Sequence, residues 1–131
     1  MFYSTSVMPL ILLVEDDHTI SRLYGTKLEF ENYIIRYAFN GLEALKMAEE
    51  ETPDLILLDL MMPIMDGETF LRRFREKSTN NREVPVLILT NLSREEAPKT
   101  LWHYGISGYF VKAHHTPKDL TTIIDRILAQ P

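Results

Sequence analysis

Three short, uninterrupted apolar runs set the terms on which this chain can fold: Leu10-Ile-Leu-Leu-Val14, Leu55-Ile-Leu-Leu58 and Val86-Leu-Ile-Leu89. Apolar runs without alternation suit strands covered on both faces, the habit of parallel sheets. Parallel neighbours need a long crossover between them, usually a helix, and helical patterns do separate the runs. Two further β-rich segments complete the set. Tyr33-Ile-Ile-Arg-Tyr-Ala-Phe39 is interrupted by Arg36, which predicts an edge strand, and Gly108-Tyr-Phe-Val111 predicts a fifth strand.

The connecting segments carry helix signals. Ile20, Leu23, Tyr24 and Leu28 recur at helical spacing and predict a first helix over about residues 18–31. Asn40, with Glu43 three residues on, opens a second helix that runs to about Glu50. Asp66 precedes a third, which turns Phe70, Leu71 and Phe74 inward and leaves Arg72-Arg-x-Arg75 as its solvated face. Thr116-Pro-Lys-Asp119 combines a cap, an N1 proline and an N3 acid, and starts a fifth helix with Leu120, Ile123, Ile124, Ile127 and Leu128 on one face. The fourth is in conflict with itself. Ser93-Arg-Glu-Glu96 is a capping box, yet Pro98 removes a hydrogen bond one turn in, so this helix either starts near Ala97 or begins distorted.

The pattern is therefore (βα)5. Right-handed crossovers wind it into a flavodoxin-like, doubly wound α/β fold, a five-stranded parallel sheet in order 2-1-3-4-5 with helices on both faces. At 131 residues the chain holds one such domain, residues 10–131, behind a short N-terminal extension, residues 1–9. Lys and Arg number 14 against 19 Asp and Glu, and this acidic balance argues against nonspecific nucleic-acid or membrane-surface binding. With no cysteine, disulfides, zinc–thiolate sites and thiol nucleophiles are excluded. The apolar run Val7 to Val14 is too short to span a bilayer and lacks a basic leader, so a cytoplasmic protein is expected.

Ligands of a doubly wound sheet bind beyond the carboxyl ends of the strands, where the strand order reverses between the first and third. There the first strand ends in Glu15-Asp16-Asp17 and the third in Asp59. Asp17 reads equally as a cap for the first helix. Carboxylates held close resist joint ionisation unless a cation joins them, and oxygen ligands without His or Cys suit Mg²⁺. The fourth strand ends in Thr90 and the fifth in Lys112, bringing a hydroxyl and an ammonium to the same edge. Metal, cation, hydroxyl and carboxylate compose a phosphoryl site, with Asp59 as the candidate nucleophile.

These residues carry a family resemblance. Leu12-Leu-Val-Glu-Asp-Asp17, Asp59-Leu-Met-Met-Pro-Ile-Met-Asp-Gly67, Thr90 and Gly105-Ile-Ser-Gly-Tyr-Phe-Val-Lys112, in that order, resemble the CheY-like receiver domain of bacterial two-component response regulators over about Leu10 to Leu128. The resemblance implies that Asp59 accepts a phosphoryl group from a histidine kinase or histidine phosphotransfer protein. It implies Mg²⁺ held by Glu15 (through water), Asp16, Asp59 and the Met61 backbone carbonyl. Thr90 and Lys112 would bind phosphoryl oxygens, and Tyr109 would be the aromatic switch residue. A downstream protein target would meet the face made by the fourth helix, fifth strand and fifth helix, where Trp102, His103 and Tyr109 lie. With the chain ending just past Leu128, a stand-alone receiver is expected, or else a piece of a hybrid kinase or larger regulator.

The sequence departs from the commonest receiver pattern in four places. Ala113 follows Lys112 where the family usually has proline, so a trans bond is expected there. Asn91 stands where a small residue usually follows Thr90. Met61 and Leu92 flank the site with apolar side chains, which predicts a long-lived acyl phosphate. Two other chemistries lack a residue. A haloacid-dehalogenase-like phosphatase needs a second acid two residues after the nucleophile, where Met61 stands, and a flavodoxin-like cofactor site would not place Glu15-Asp16-Asp17 at a phosphate loop. His114 and His115 read as an exposed loop; His18 is either a tuner of the acidic pocket or a first-turn residue.

Overall fold

In a computed structural model, residues 8–130 are described; most of the predicted N-terminal extension lies outside them. Five strands form one parallel sheet: β1 Leu10–Val14, β2 Ile34–Ala38, β3 Leu55–Leu58, β4 Val86–Thr90 and β5 Gly108–Val111, in the order β2-β1-β3-β4-β5. Four α-helices connect or follow them: α1 His18–Phe30, α2 Gly41–Glu50, α3 Gly67–Lys77 and α4 Pro117–Leu128. The element numbered α4 is the fifth helix of the sequence reading.

The uninterrupted apolar runs have a direct explanation. Successive strand side chains point to opposite faces, and here both faces are covered. Leu12, Val14, Ile56, Leu58, Val86 and Ile88 meet Phe70, Leu71 and Phe74 of α3 and Ala44 and Ala48 of α2. Their neighbours Ile11, Leu13, Leu55, Leu57, Leu87 and Leu89 meet Tyr24 and Leu28 of α1 and Leu120 and Ile124 of α4. β2 is an edge strand as expected, with Arg36 exposed and paired to Glu51. Leu23, one of the residues that marked α1, faces solvent at 58% exposure; Ser21 and Gly25 are buried on that helix instead.

The predicted caps are present. Asp17, Asn40, Asp66 and Thr116 accept from the amides of Ile20, Glu43, Thr69 and Asp119, and Thr116 with Asp119 forms a full capping box. The fourth helix is where expectation and structure part. Ser93 and Glu96 do make their reciprocal bonds, and Ala97 N–H reaches Ser93 O, but the turn does not propagate. Pro98 has no N–H to donate, and beyond it the chain tightens into a 3-10 helix, Lys99–Tyr104, ending at Gly105 with φ +77°.

Arg75 corrects the reading of α3. It belongs not to a solvated face but to the interior, 6% exposed, where its guanidinium donates to the carbonyls of Asn81, Val84, Tyr104 and Gly105. A planar fork with five donors suits four backbone acceptors around one centre. It ties the end of the 3-10 segment to α3 and to the loop that precedes β4. Burial holds its pKa below the usual arginine value, which still leaves it charged.

Candidate functional site

At the carboxyl edge of the sheet, Glu15 follows β1, Asp59 follows β3, and Lys112 follows β5. Carboxylate oxygens of Glu15, Asp16 and Asp59 all lie within 4.8 Å of one another. Glu15 and Asp59 are buried, whereas Asp16 opens to solvent. Backbone pairing fixes this convergence, since Asp59 N–H continues the sheet ladder to Val14 O and Glu15 N–H donates to Ala38 O. Asp17 stays out of the cluster as the cap of α1.

The two oxygens of Asp59 have different surroundings. Oδ1 accepts from the amides of Leu60 (2.7 Å) and Met61 (3.4 Å), while Oδ2 faces Lys112 Nζ at 3.2 Å. Lys112 also donates to Glu15, whose second oxygen takes the amide of Asp17 at 3.0 Å. Burial alone would lower the Lys112 pKa, but its bond to Glu15 and the charge of Asp59 together hold it above the usual lysine value. Glu15 moves up as well, because desolvation outweighs the bonds from Lys112 and Asp17. Three carboxylates against one ammonium leave a formal charge of −2, which one divalent cation balances.

Gly67, the first residue of α3, explains how the motif closes. A Cβ there would stand 2.2 Å from Asp59 O and 2.8 Å from Leu60 Cα, so only glycine lets α3 start against the backbone of Asp59. Its amide donates to Leu60 O, pinning the loop between them.

The remaining predicted residues lie around this centre rather than in it. Thr90 is buried at the end of β4, its Oγ1 accepting from Leu92 N–H at 3.4 Å. Met61 touches Asp59 through its amide and exposes 65% of its surface at the mouth. Asn91 is exposed, and Leu92 packs against the core. Tyr109 is turned away from the acids, its hydroxyl donating to Leu92 O (2.8 Å) and Ser93 O (3.1 Å) and its ring stacked on Trp102. His103 is exposed beside them. His18 opens α1 and stacks on Phe39, and His115 pairs with Asp119. Among the described residues there is no cis peptide bond, so Lys112–Ala113 is trans. Sequence reasoning placed Trp102 and Tyr109 on one face but did not find the bonds from Tyr109 to Leu92 and Ser93 or the stacking of the two rings.

Comparison with known proteins shows the family and the fold. The profile of the response regulator receiver domain matches residues 11–125. The chain is 34% identical over 122 residues to the DNA-binding dual master transcriptional regulator RpaA of Synechocystis, covering 93% of this chain and 48% of that protein. It is 35% identical to the response regulator ArlR of Staphylococcus saprophyticus, covering 93% and 52%. A putative response regulator from Chloroflexus aurantiacus superposes with a TM-score of 0.85 at 28% identity, over 95% of this chain and all of that one. The BeF3-activated receiver domain of Klebsiella pneumoniae RstA gives 0.81 at 29%, over 92% and 99%. The chain belongs to the response regulator receiver family. It spans about half the length of the curated relatives it matches. No described helix is long and apolar enough to cross a membrane.

Proposed function

We propose that this receiver, residues 10–131, takes a phosphoryl group onto Asp59 and passes the event on by changing a protein-binding face. The observation that carries the reading is the asymmetric environment of Asp59. Its Oδ1 is fixed by two amides, and its Oδ2 lies beside Lys112 at the open edge of an acidic cluster. Oδ2 attacks the phosphorus of a phosphohistidine on a kinase or phosphotransfer protein; the P–N bond breaks, and the imidazole leaves with its electron pair and takes up a proton. The product is an acyl phosphate, a modified protein rather than a released product.

The all-oxygen donor set of Glu15, Asp16 and Asp59, joined by the Met61 carbonyl, fits Mg²⁺, which prefers hard oxygen ligands and retains waters. When bound, Mg²⁺ supplies charge neutralisation for the incoming phosphoryl oxygens. Lys112 contributes a point charge to those oxygens, and Thr90 a hydroxyl donor. Lys112 has one N–H beyond those it gives Glu15 and Asp59, and the Thr90 hydroxyl keeps its proton to donate while its oxygen still accepts from the amide of Leu92, so Thr90 carries Leu92 with it. Phosphate at Asp59 therefore pulls on the start of the segment that Tyr109 holds. That face, with Trp102, His103 and Tyr109, is the docking surface for a downstream protein. A cytoplasmic location, in keeping with the receiver family, is part of the proposal.

Transfer of labelled phosphate from a small phosphodonor, with and without a chelator, tests the metal requirement. Labelling that needs Mg²⁺, and needs several-fold more of it in Asp16→Asn, is the expected result. Equal labelling in chelator contradicts the reading.

A further inference from the structure

The ring of Tyr109 is held from several sides by a single segment. Its hydroxyl reaches the carbonyls of Leu92 and Ser93 at the start of that segment. The Arg94 guanidinium sits 5.5 Å from its ring centroid. Trp102, in the last turn, stacks on it at 6.0 Å with the planes 9° apart. The segment's own bonds form two short turns, Ser93 to Ala97 and Pro98 to Gly105, because Pro98 interrupts it and a 3-10 path replaces the α-helix. Besides Ala97 and Leu101, which are buried in the core, what fastens it is Tyr109 near both ends, Arg75 on the carbonyls of Tyr104 and Gly105, and Thr100 on Glu68. Two ties also reach back toward the phosphoacceptor. Thr90 Oγ1 accepts the amide of Leu92, and Tyr109 lies three residues before Lys112 on β5.

We infer that Trp102 and Arg94 are positioning residues that lock Tyr109 in its resting place, and that this lock sets how readily Asp59 accepts a phosphoryl group. The inference rests on the phosphoacceptor reading above and adds an energetic opponent to it. Each contact made only in the resting state weakens binding of a phosphoryl group by the same factor that phosphoryl binding weakens the contact. An aromatic stack exposed on one side is worth a modest factor, and a cation over a ring adds to it. Trp102 is 44% exposed, so its loss leaves the core intact. It is also the single tryptophan of the chain, which makes it a built-in reporter of its own release.

The test uses beryllofluoride with Mg²⁺ as the phosphoryl mimic, binding being read by calorimetry and Trp102 by its fluorescence. Wild type shows a fluorescence change that saturates together with binding. Trp102→Ala binds about five-fold more tightly than wild type; Trp102→Phe, which keeps a ring, stays within about two-fold of it; and Arg94→Gln tightens by a smaller factor. In a Tyr109→Leu background Trp102→Ala has no further effect, which a merely structural role for Trp102 would not give. Binding with unchanged fluorescence, or the same gain with Tyr109 absent, overturns the lock while leaving Asp59 as acceptor. No binding in wild type, or equal binding in Asp59→Asn, overturns the phosphoacceptor reading and the lock with it.

Discussion

Lys112 Nζ lies 3.2 Å from Asp59 Oδ2 and donates at the same time to Glu15, so one ammonium bridges two buried carboxylates that follow different strands. The same side chain holds the acidic cluster together and faces the oxygen proposed to take the phosphoryl group. Lys112→Met leaves both acids without this counter-charge where they are buried. Removing one partner of a buried pair costs roughly 3–5 kcal/mol, and the urea midpoint measured in chelator falls accordingly. Added Mg²⁺ recovers part of the loss. An unchanged midpoint in chelator contradicts the arrangement.

Glu15 gives the site a pH signature. Desolvation holds its carboxyl above the ordinary value of 4.5 in the folded protein, so the native state binds that proton more tightly than the unfolded chain does. Its contribution to stability is complete below the ordinary value and is lost as pH rises through the raised folded value. In chelator, Glu15→Gln therefore gains on wild type as pH climbs from the ordinary value toward neutrality. Tm measured against pH for the two proteins checks this; parallel curves contradict it.

Arg75 supports the fold opposite the chemistry. Lysine offers a single nitrogen where four carbonyls from separate segments now converge on a fork. Arg75→Lys leaves buried carbonyls unpaired and is expected to cost about 3 kcal/mol in urea unfolding, with the 3-10 segment becoming the first site of proteolysis. A loss under about 1 kcal/mol contradicts the clamp.

Met61 bears on how long the signal lasts. It stands exposed at the mouth of the site with Leu92 half-buried nearby, and neither can orient a water for attack on an acyl phosphate. Phosphorylated wild type should persist for minutes or longer, and Met61→Asn should lose phosphate several-fold faster. Decay of the wild-type adduct within seconds contradicts this account.

The strands, their order and the acidic convergence were legible because each rests on a strong local rule. Leu55 to Leu58 fits a strand covered on both sides, and once the order placed it beside Leu10 to Val14, Glu15 and Asp59 fell at the same edge. Arg75 was misread because its neighbours Arg72 and Arg73 suggested a charged face. The counter-signal was its place four residues after Leu71 and next to Phe74, on the apolar stripe of α3. The segment after β4 was harder. Its capping box and its proline point in opposite directions, and both are right: the cap forms, then the helix fails. Trp102 lies in that segment, and no periodicity in the sequence announces the ring geometry of its stack on Tyr109.

The central claim, that Asp59 is the phosphoacceptor, is tested most directly by intact mass after incubation with Mg²⁺ and a small phosphodonor. Wild type should gain the mass of a single phosphoryl group and Asp59→Asn none; an adduct on both proteins, or on neither, would contradict the account.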